Sequence, residues 1–456
     1  MIFIKLDKNN PSPLYKQLGD AVLQKIIMGE LPPDSKLPTI RALAANLKVN
    51  NTTVVGAYKY LEQIKAVYSI RGSGIYVAKQ KAHTPVPFEQ RPFEYNNCIN
   101  FASISTDPAY FPKEDFRIAF DAVITRDGAG AFGYPGWRGY APLRETVSNL
   151  LIKNKIRATL ENIQIFSDIR QGLDIILDAL ISPGDAVILE SPTSQGAVAA
   201  FASRGIKILE IPINENGIDL DKLSFLTKKH RPKLFFLMPT YQTPTGLCYT
   251  EETKAHILEL AHNMNAYIIE EDDYGDFFYG AKPTPLKAID AHDRVIYLKS
   301  FDRVLTPGLA SYMACPKDIL NRLRNTSGVS GYIQRSLDFY LRNFNFGANC
   351  SEVRVNYTRR YKRAVAAAET FLTPYASFTK PEGGLSLWVR PHNANKTANY
   401  INEFFAQKVL VSPEEIFLPK ATIIVNRHFR ISFANANEDD ISKGIGIIAS
   451  VLSGKR

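Results

Sequence analysis

Cysteine is scarce in this chain and does not cluster: among 456 residues only Cys98, Cys248, Cys315 and Cys350 occur, with no C-x-x-C pair. That spacing argues against a disulfide framework and against a cysteine-held zinc, so no metal site is expected, and a reducing cytoplasm is the expected location. No apolar run is long enough to cross a bilayer, so no membrane partner is expected. The opening stretch MIFIKLDKNNPSP has no basic segment followed by an apolar one and a small-residue cleavage site. Internal repeats and low-complexity tracts are missing too.

What is present fits a chain of two or three domains, with 45% hydrophobic and 22% charged residues. The net charge of +10 is concentrated at the front. Residues 1–80 hold nine Lys and two Arg against three Asp and two Glu. A small basic module ahead of a nearly neutral remainder suggests a polyanion-binding head. Leu14, Leu18, Val22 and Ile26 recur at a spacing of four, the mark of one amphipathic helix face. Thr39 is placed to cap a second helix over Ile40–Leu47, and Asn50–Thr53 open a third with Val54, Ala57, Tyr58 and Leu61 turned inward. Val67–Ile70 and Ile75–Ala78 flank Arg71-Gly-Ser-Gly74 as two strands around a glycine turn.

The segments P-L-Y-x-Q-L, L-P-T-x-R-x-L-A, T-V-V-x-A-Y-x-x-L-E and R-G-S-G-x-Y-V follow one another here and resemble the GntR-family winged helix-turn-helix across residues 1–78. The resemblance implies binding to operator DNA, with the third helix in the major groove. Asn51, Thr52 and Thr53 would face base edges or phosphates, with Asn51 suited to adenine. Lys36, Arg41, Lys59, Arg71 and Ser73 would hold the backbone.

Residues 79–99 are polar and Pro-rich and read as a linker. Beyond them helical and strand-like runs alternate. Strands are expected at Ala186–Leu189, Lys207–Ile211, Leu234–Met238, Tyr267–Ile269 and Val295–Leu298, with helices at Gln171–Leu180 and Glu251–Asn263. This is the pattern of an α/β domain with a mainly parallel sheet, residues 100–456, followed from about 365 by a smaller α+β part that includes strands at Leu385–Val389 and Phe429–Phe433.

Several motifs in this region resemble fold type I aminotransferases, in the version joined to a GntR head in MocR-type regulators. They are Gly133-Tyr-Pro-Gly136 with Arg144, Pro239–Gly246, Glu271-Asp-Asp-Tyr274, Tyr297–Tyr312 and Phe429-Arg-Ile-Ser432. The resemblance implies the cofactor pyridoxal phosphate (PLP). Asp272 would be the partner of its pyridine nitrogen, Tyr274 of its phenolic oxygen, Ser300 a phosphate donor, and Arg430 the fork that holds a substrate or effector carboxylate. It also implies a homodimer, domain-swapped so that each head lies across the partner.

The same alignment puts Arg303 where the family has its Schiff-base lysine. An imine needs a neutral amine, which a guanidinium cannot supply. Asp168 and Ile169 replace phosphate-binding residues, with Arg170 as a partial substitute; Ser194 stands in place of the ring-stacking tyrosine, and Ala310 in place of an arginine. No covalent PLP–lysine bond is therefore expected. The expectation is a transcriptional regulator with a pseudo-aminotransferase domain that senses a small anion, such as an amino acid or a PLP-like metabolite, through Arg430, Arg303 and Arg170. The alternative is a PLP-binding regulator or a PLP-dependent aminotransferase, with the cofactor bound noncovalently or through Lys299, a residue otherwise read as a solvated loop charge.

Overall fold

The structure is a computed structural model and describes residues 13–27, 31–47, 49–63, 66–70, 72–78, 98–305, 309–323, 328–394, 397–419 and 427–454. Arg71, nearly all of the expected linker, and Pro307-Gly308 lie outside the described residues. The chain divides into two units, one holding the first ninety residues and the other nearly all of the rest.

In the first unit, helix α1 (Leu14–Ile27) buries Leu18, Val22 and Ile26 as the spacing of four requires. Its Gly19 lies so close to Tyr60 that a Cβ there would sit 2.5 Å from the ring. Thr39 caps α2 (Ile40–Leu47) by accepting from the Ala42 amide at 3.3 Å, and the Asn50 side chain accepts from Thr52 N at the start of α3 (Asn51–Gln63). Strands β1 (Val67–Ile70) and β2 (Gly74–Val77) form an antiparallel hairpin. Leu37 N donates to Ile75 O, and the Tyr58 hydroxyl donates to Pro38 O, so hairpin and third helix both tie down the segment before α2. This is a winged helix.

The second unit opens with β3 (Ile99–Asn100), α4 (Lys113–Asp127) and α5 (Ala141–Lys153). Strands β4 (Ile163–Phe166), β5 (Ala186–Ser191), β6 (Lys207–Asn214), β7 (Gly217–Ile218), β8 (Leu234–Leu237), β9 (Tyr267–Glu271), β10 (Val295–Ser300) and β11 (Ser311–Ala314) then form one sheet in the order β4-β11-β10-β9-β8-β5-β6-β7. Its centre, β10-β9-β8-β5-β6, is parallel throughout. Helices α6 (Ile169–Leu180) and α7 (Gln195–Ala202) cover one face, and α8 (Leu220–His230) and α9 (Glu251–Asn263) pack against the other. The central strands are apolar on both sides, as a covered parallel sheet demands.

After α10 (Lys317–Leu320) and α11 (Gly331–Asn343), the long helix α12 (Phe346–Phe371) leads to the smaller sheet. The expected start of that part, near 365, falls inside this helix. Strands β12 (Ala376–Phe378), β13 (Ser386–Pro391), β15 (Ser412–Pro413) and β16 (Phe429–Ser432) make an antiparallel sheet, while α13 (Thr397–Ala406) leads to β14 (Val409–Leu410), which pairs with β3. The final helix α14 (Glu438–Ser453) closes this core against α12.

Candidate functional site

Four acidic residues in a row, Glu270 to Asp273, are all buried at the carboxyl end of β9. Side chains alternate along an extended strand, so neighbouring members of this run face opposite ways and meet different partners. Glu270 accepts from the amides of Leu286 and Lys287, both at 2.7 Å. Asp272 accepts from the Tyr297 hydroxyl and from Lys299 Nζ at 3.2 Å. Lys299 Nζ also reaches Asp276 at 3.1 Å.

Lys299 is thus not a solvated loop charge. Strand β10 runs two residues past Leu298, which puts Lys299 in the sheet, 7% exposed, between two carboxylates. Burial disfavours its ammonium, but Asp272 and Asp276 outweigh that and hold the pKa above the ordinary lysine value.

Asp273 faces the other way. It accepts from Arg303 Nε at 2.7 Å, while Arg303 Nη1 donates to the Ile104 carbonyl at 3.1 Å. The guanidinium lies 5.4 Å from the centre of the Tyr274 ring. Here too burial opposes the charge and a carboxylate wins: Asp273 raises the pKa of Arg303. Asp272 and Arg303 are consequently not brought together. Glu271, on the Asp273 side, is pushed up to about 8 by burial and by the charge of Asp273.

Arg430, on β16, is 4% exposed. Its Nη2 donates to Ala102 O at 2.9 Å and to Ser412 Oγ at 3.1 Å, and the group packs 4.9 Å from the Phe417 ring centre. Among the described residues Nε has no partner and no carboxylate pairs with the guanidinium. Burial without a counter-ion lowers its pKa to about 10, and Tyr274 and Arg303 are the charges it feels.

The start of α6 is partly occupied by its own side chains. Asp168 caps it, accepting from Gln171 N at 2.9 Å, and Ser167 Oγ is engaged by Asp168 and by Gln171. Arg170 does not join Arg303 and Arg430. It pairs with Asp174 at 3.1 Å, one turn along its own helix. Ser194 caps α7 through Ala197 N. Ser300 Oγ accepts from Asp302 N and exchanges a hydrogen bond with Ser311, each at 3.0 Å. Of the residues read from the sequence, Tyr274, Arg303 and Arg430 share one neighbourhood. Asp273, Glu271 and Asp276 were missed, although strict alternation along Glu270–Asp273 is a signal that adjacent aspartates cannot serve one site.

On the winged helix, Lys36, Arg41, Asn51, Thr52, Lys59 and Ser73 are exposed and Thr53 is half-buried. Asn51 and Thr52 occupy the first turn of α3. Lys36 Nζ stands 5.9 Å over the Tyr76 ring, and Ser73 Oγ bonds the Tyr76 hydroxyl, so these two residues meet at the hairpin.

Residues 105–448 match the family described as aminotransferase class I and II. The chain belongs to that family. Residues 14–77 match the gntR family of bacterial regulatory proteins, so a GntR head precedes the aminotransferase domain, the MocR-type arrangement. The chain is 26% identical to an uncharacterised HTH-type transcriptional regulator, YdfD, of Bacillus subtilis (strain 168), over 98% of this chain and 97% of that protein. It is also 26% identical to 2-aminoadipate transaminase of Thermus thermophilus, over 80% of this chain and 91% of the enzyme. Among solved structures, Pyrococcus horikoshii kynurenine aminotransferase in complex with PMP superposes with a TM-score of 0.74 at 28% identity, covering 79% of this chain and 92% of that one.

Proposed function

We propose that this protein is a DNA-binding transcriptional regulator whose aminotransferase domain senses a small carboxylate and does not carry out Schiff-base chemistry. The carrying observation is the Arg303–Asp273 pair: a permanent cation, ion-paired at 2.7 Å, at the residue that the sequence resemblance aligns with the family's lysine. The surroundings also count against PLP. A phosphate at the α6 N-terminus would meet the Asp168 carboxylate already using that helix end, and Asp272 is turned toward Lys299. Lys299 is no substitute, because its ammonium is held charged by two aspartates.

Arg430 supports the sensing role. A buried guanidinium that has, among the described residues, an unpartnered Nε and no carboxylate of its own is prepared to receive one from a ligand. The exposed, polar first turn of α3 and the exposed cations Arg41 and Lys59 support DNA binding. Ile118, Ile124, Phe132 and Tyr134 are exposed large apolar side chains on α4 and just after it, and support a homodimer.

The test is an absorbance and mass measurement on the purified protein after PLP addition and borohydride reduction. No visible aldimine band and no added mass after denaturation are expected. A phosphopyridoxyl group retained on any residue would overturn the reading.

A further inference from the structure

A cavity of about 340 Å3 opens beside the end of β10, lined by Lys299 and Ser300. Lys299 and Tyr312 line it, together with Phe301 and Val304 from the β10–β11 connection and Leu341, Phe344 and Phe346 from where α11 gives way to α12. Arg303, Tyr274 and Arg430 do not line it. Its volume lies at the small end of the roughly 300–1,000 Å3 typical of ligand sites, and its lining mixes apolar side chains with charged ones.

The charges at its mouth are unbalanced. Asp276 is the only carboxylate in the lining, and Lys299 at 3.1 Å and Lys282 at 3.4 Å both claim it. Lys153 and Arg354 line the mouth as well. Arg354 stacks 4.1 Å from the Phe278 ring centre and donates to Ser351 Oγ. Among the described residues neither Lys153 nor Arg354 pairs with a carboxylate. The hollow therefore joins aromatic walls to two uncompensated cations.

We propose that this cavity is a second ligand site, separate from the Arg430 neighbourhood, for a small amphipathic monoanion: an aryl or branched-alkyl carboxylate. The apolar body lies against Phe301, Phe344 and Phe346, and the carboxylate takes the fork of Arg354 with Lys153 beside it. The occupant grips residues 299–304, the same short segment that carries Arg303.

The test uses the full chain and 3-phenylpropionate as probe, followed by calorimetry and saturation-transfer NMR. Binding is expected, with 3-phenylpropanamide at least about tenfold weaker and Arg354→Ala costing about ten- to a hundredfold, the range for a lost charged hydrogen bond. Cys350→Phe, which places a ring in the hollow, is expected to abolish binding while circular dichroism shows the fold kept. Absence of binding up to about 10 mM probe would overturn the proposal. So would affinity unchanged in both variants, or inorganic phosphate binding as well as the probe. Binding that survives Arg354→Ala but is lost in Arg430→Gln would place the probe at the other arginine and overturn it equally, while leaving the sensing role of Arg430 intact.

Discussion

The cations of the winged helix and those of the aminotransferase domain are the same residue types in opposite circumstances. Arg41 and Lys59 stand in water. Lys299 is buried between Asp272 and Asp276, and Arg303 is half-buried against Asp273. A charge in water is available to a polyanion and contributes little to stability, whereas a buried charge is costly unless paired and is lost to outside partners once it is. Burial, more than residue identity, separates the exposed cations of the winged helix from the internal framework, and Arg430 is the informative exception because it is buried with no carboxylate partner among the described residues.

The sharpest way to break this comparison is Asp273→Ala. It strands the Arg303 guanidinium, and a loss of about 3–5 kcal/mol in urea denaturation is expected; a change under about 0.5 kcal/mol would mean the pair is no more than a surface contact.

A second test is a pH effect. Burial pushes the carboxyls of Glu190 to about 7 and of Glu270 and Glu271 to about 8. These groups keep protons that the unfolded chain has already released. Their contribution is therefore complete below the ordinary carboxylate range and is lost as pH climbs toward 7 to 8, by about 1.4 kcal/mol per pH unit for each group. Thermal unfolding from pH 5.5 to 8.5 should show the decline, and Glu271→Gln should flatten it; a profile identical to wild type would place Glu271 in contact with water.

On the DNA side, Asn51→Ala is expected to relax preference at one base step by about 1–3 kcal/mol in a selection assay, provided the first turn of α3 reads bases. The smallest effect is Lys59→Ala. It should lower the slope of log affinity against log salt by about one unit and leave folding stability within about 0.5 kcal/mol. An unchanged slope would remove Lys59 from the interface.

Much of this architecture was legible in the residues because its signals are local. The helix at Glu251–Asn263 and the cap at Thr39 stand where spacing and capping chemistry put them. The strand expected at Val295–Leu298 was right in place and short by two residues, and those two residues matter. They carry Lys299 into the sheet, where its partners Asp272 and Asp276 come from a different element more than twenty positions away. No local pattern announces such a pairing. The misfit of Arg170 was within reach, since Asp174 stands one helical turn beyond it. The partner of Arg303 was hidden by a motif that draws attention to Asp272 when strand geometry favours its neighbour.

Adjacent aspartates claimed from opposite sides also limit what a substitution at position 303 can achieve. A lysine placed there would stand beside the Asp273 carboxylate that now holds Arg303, and an ammonium so paired keeps its charge. An amine free to form an imine at this position would call for a second substitution, at Asp273.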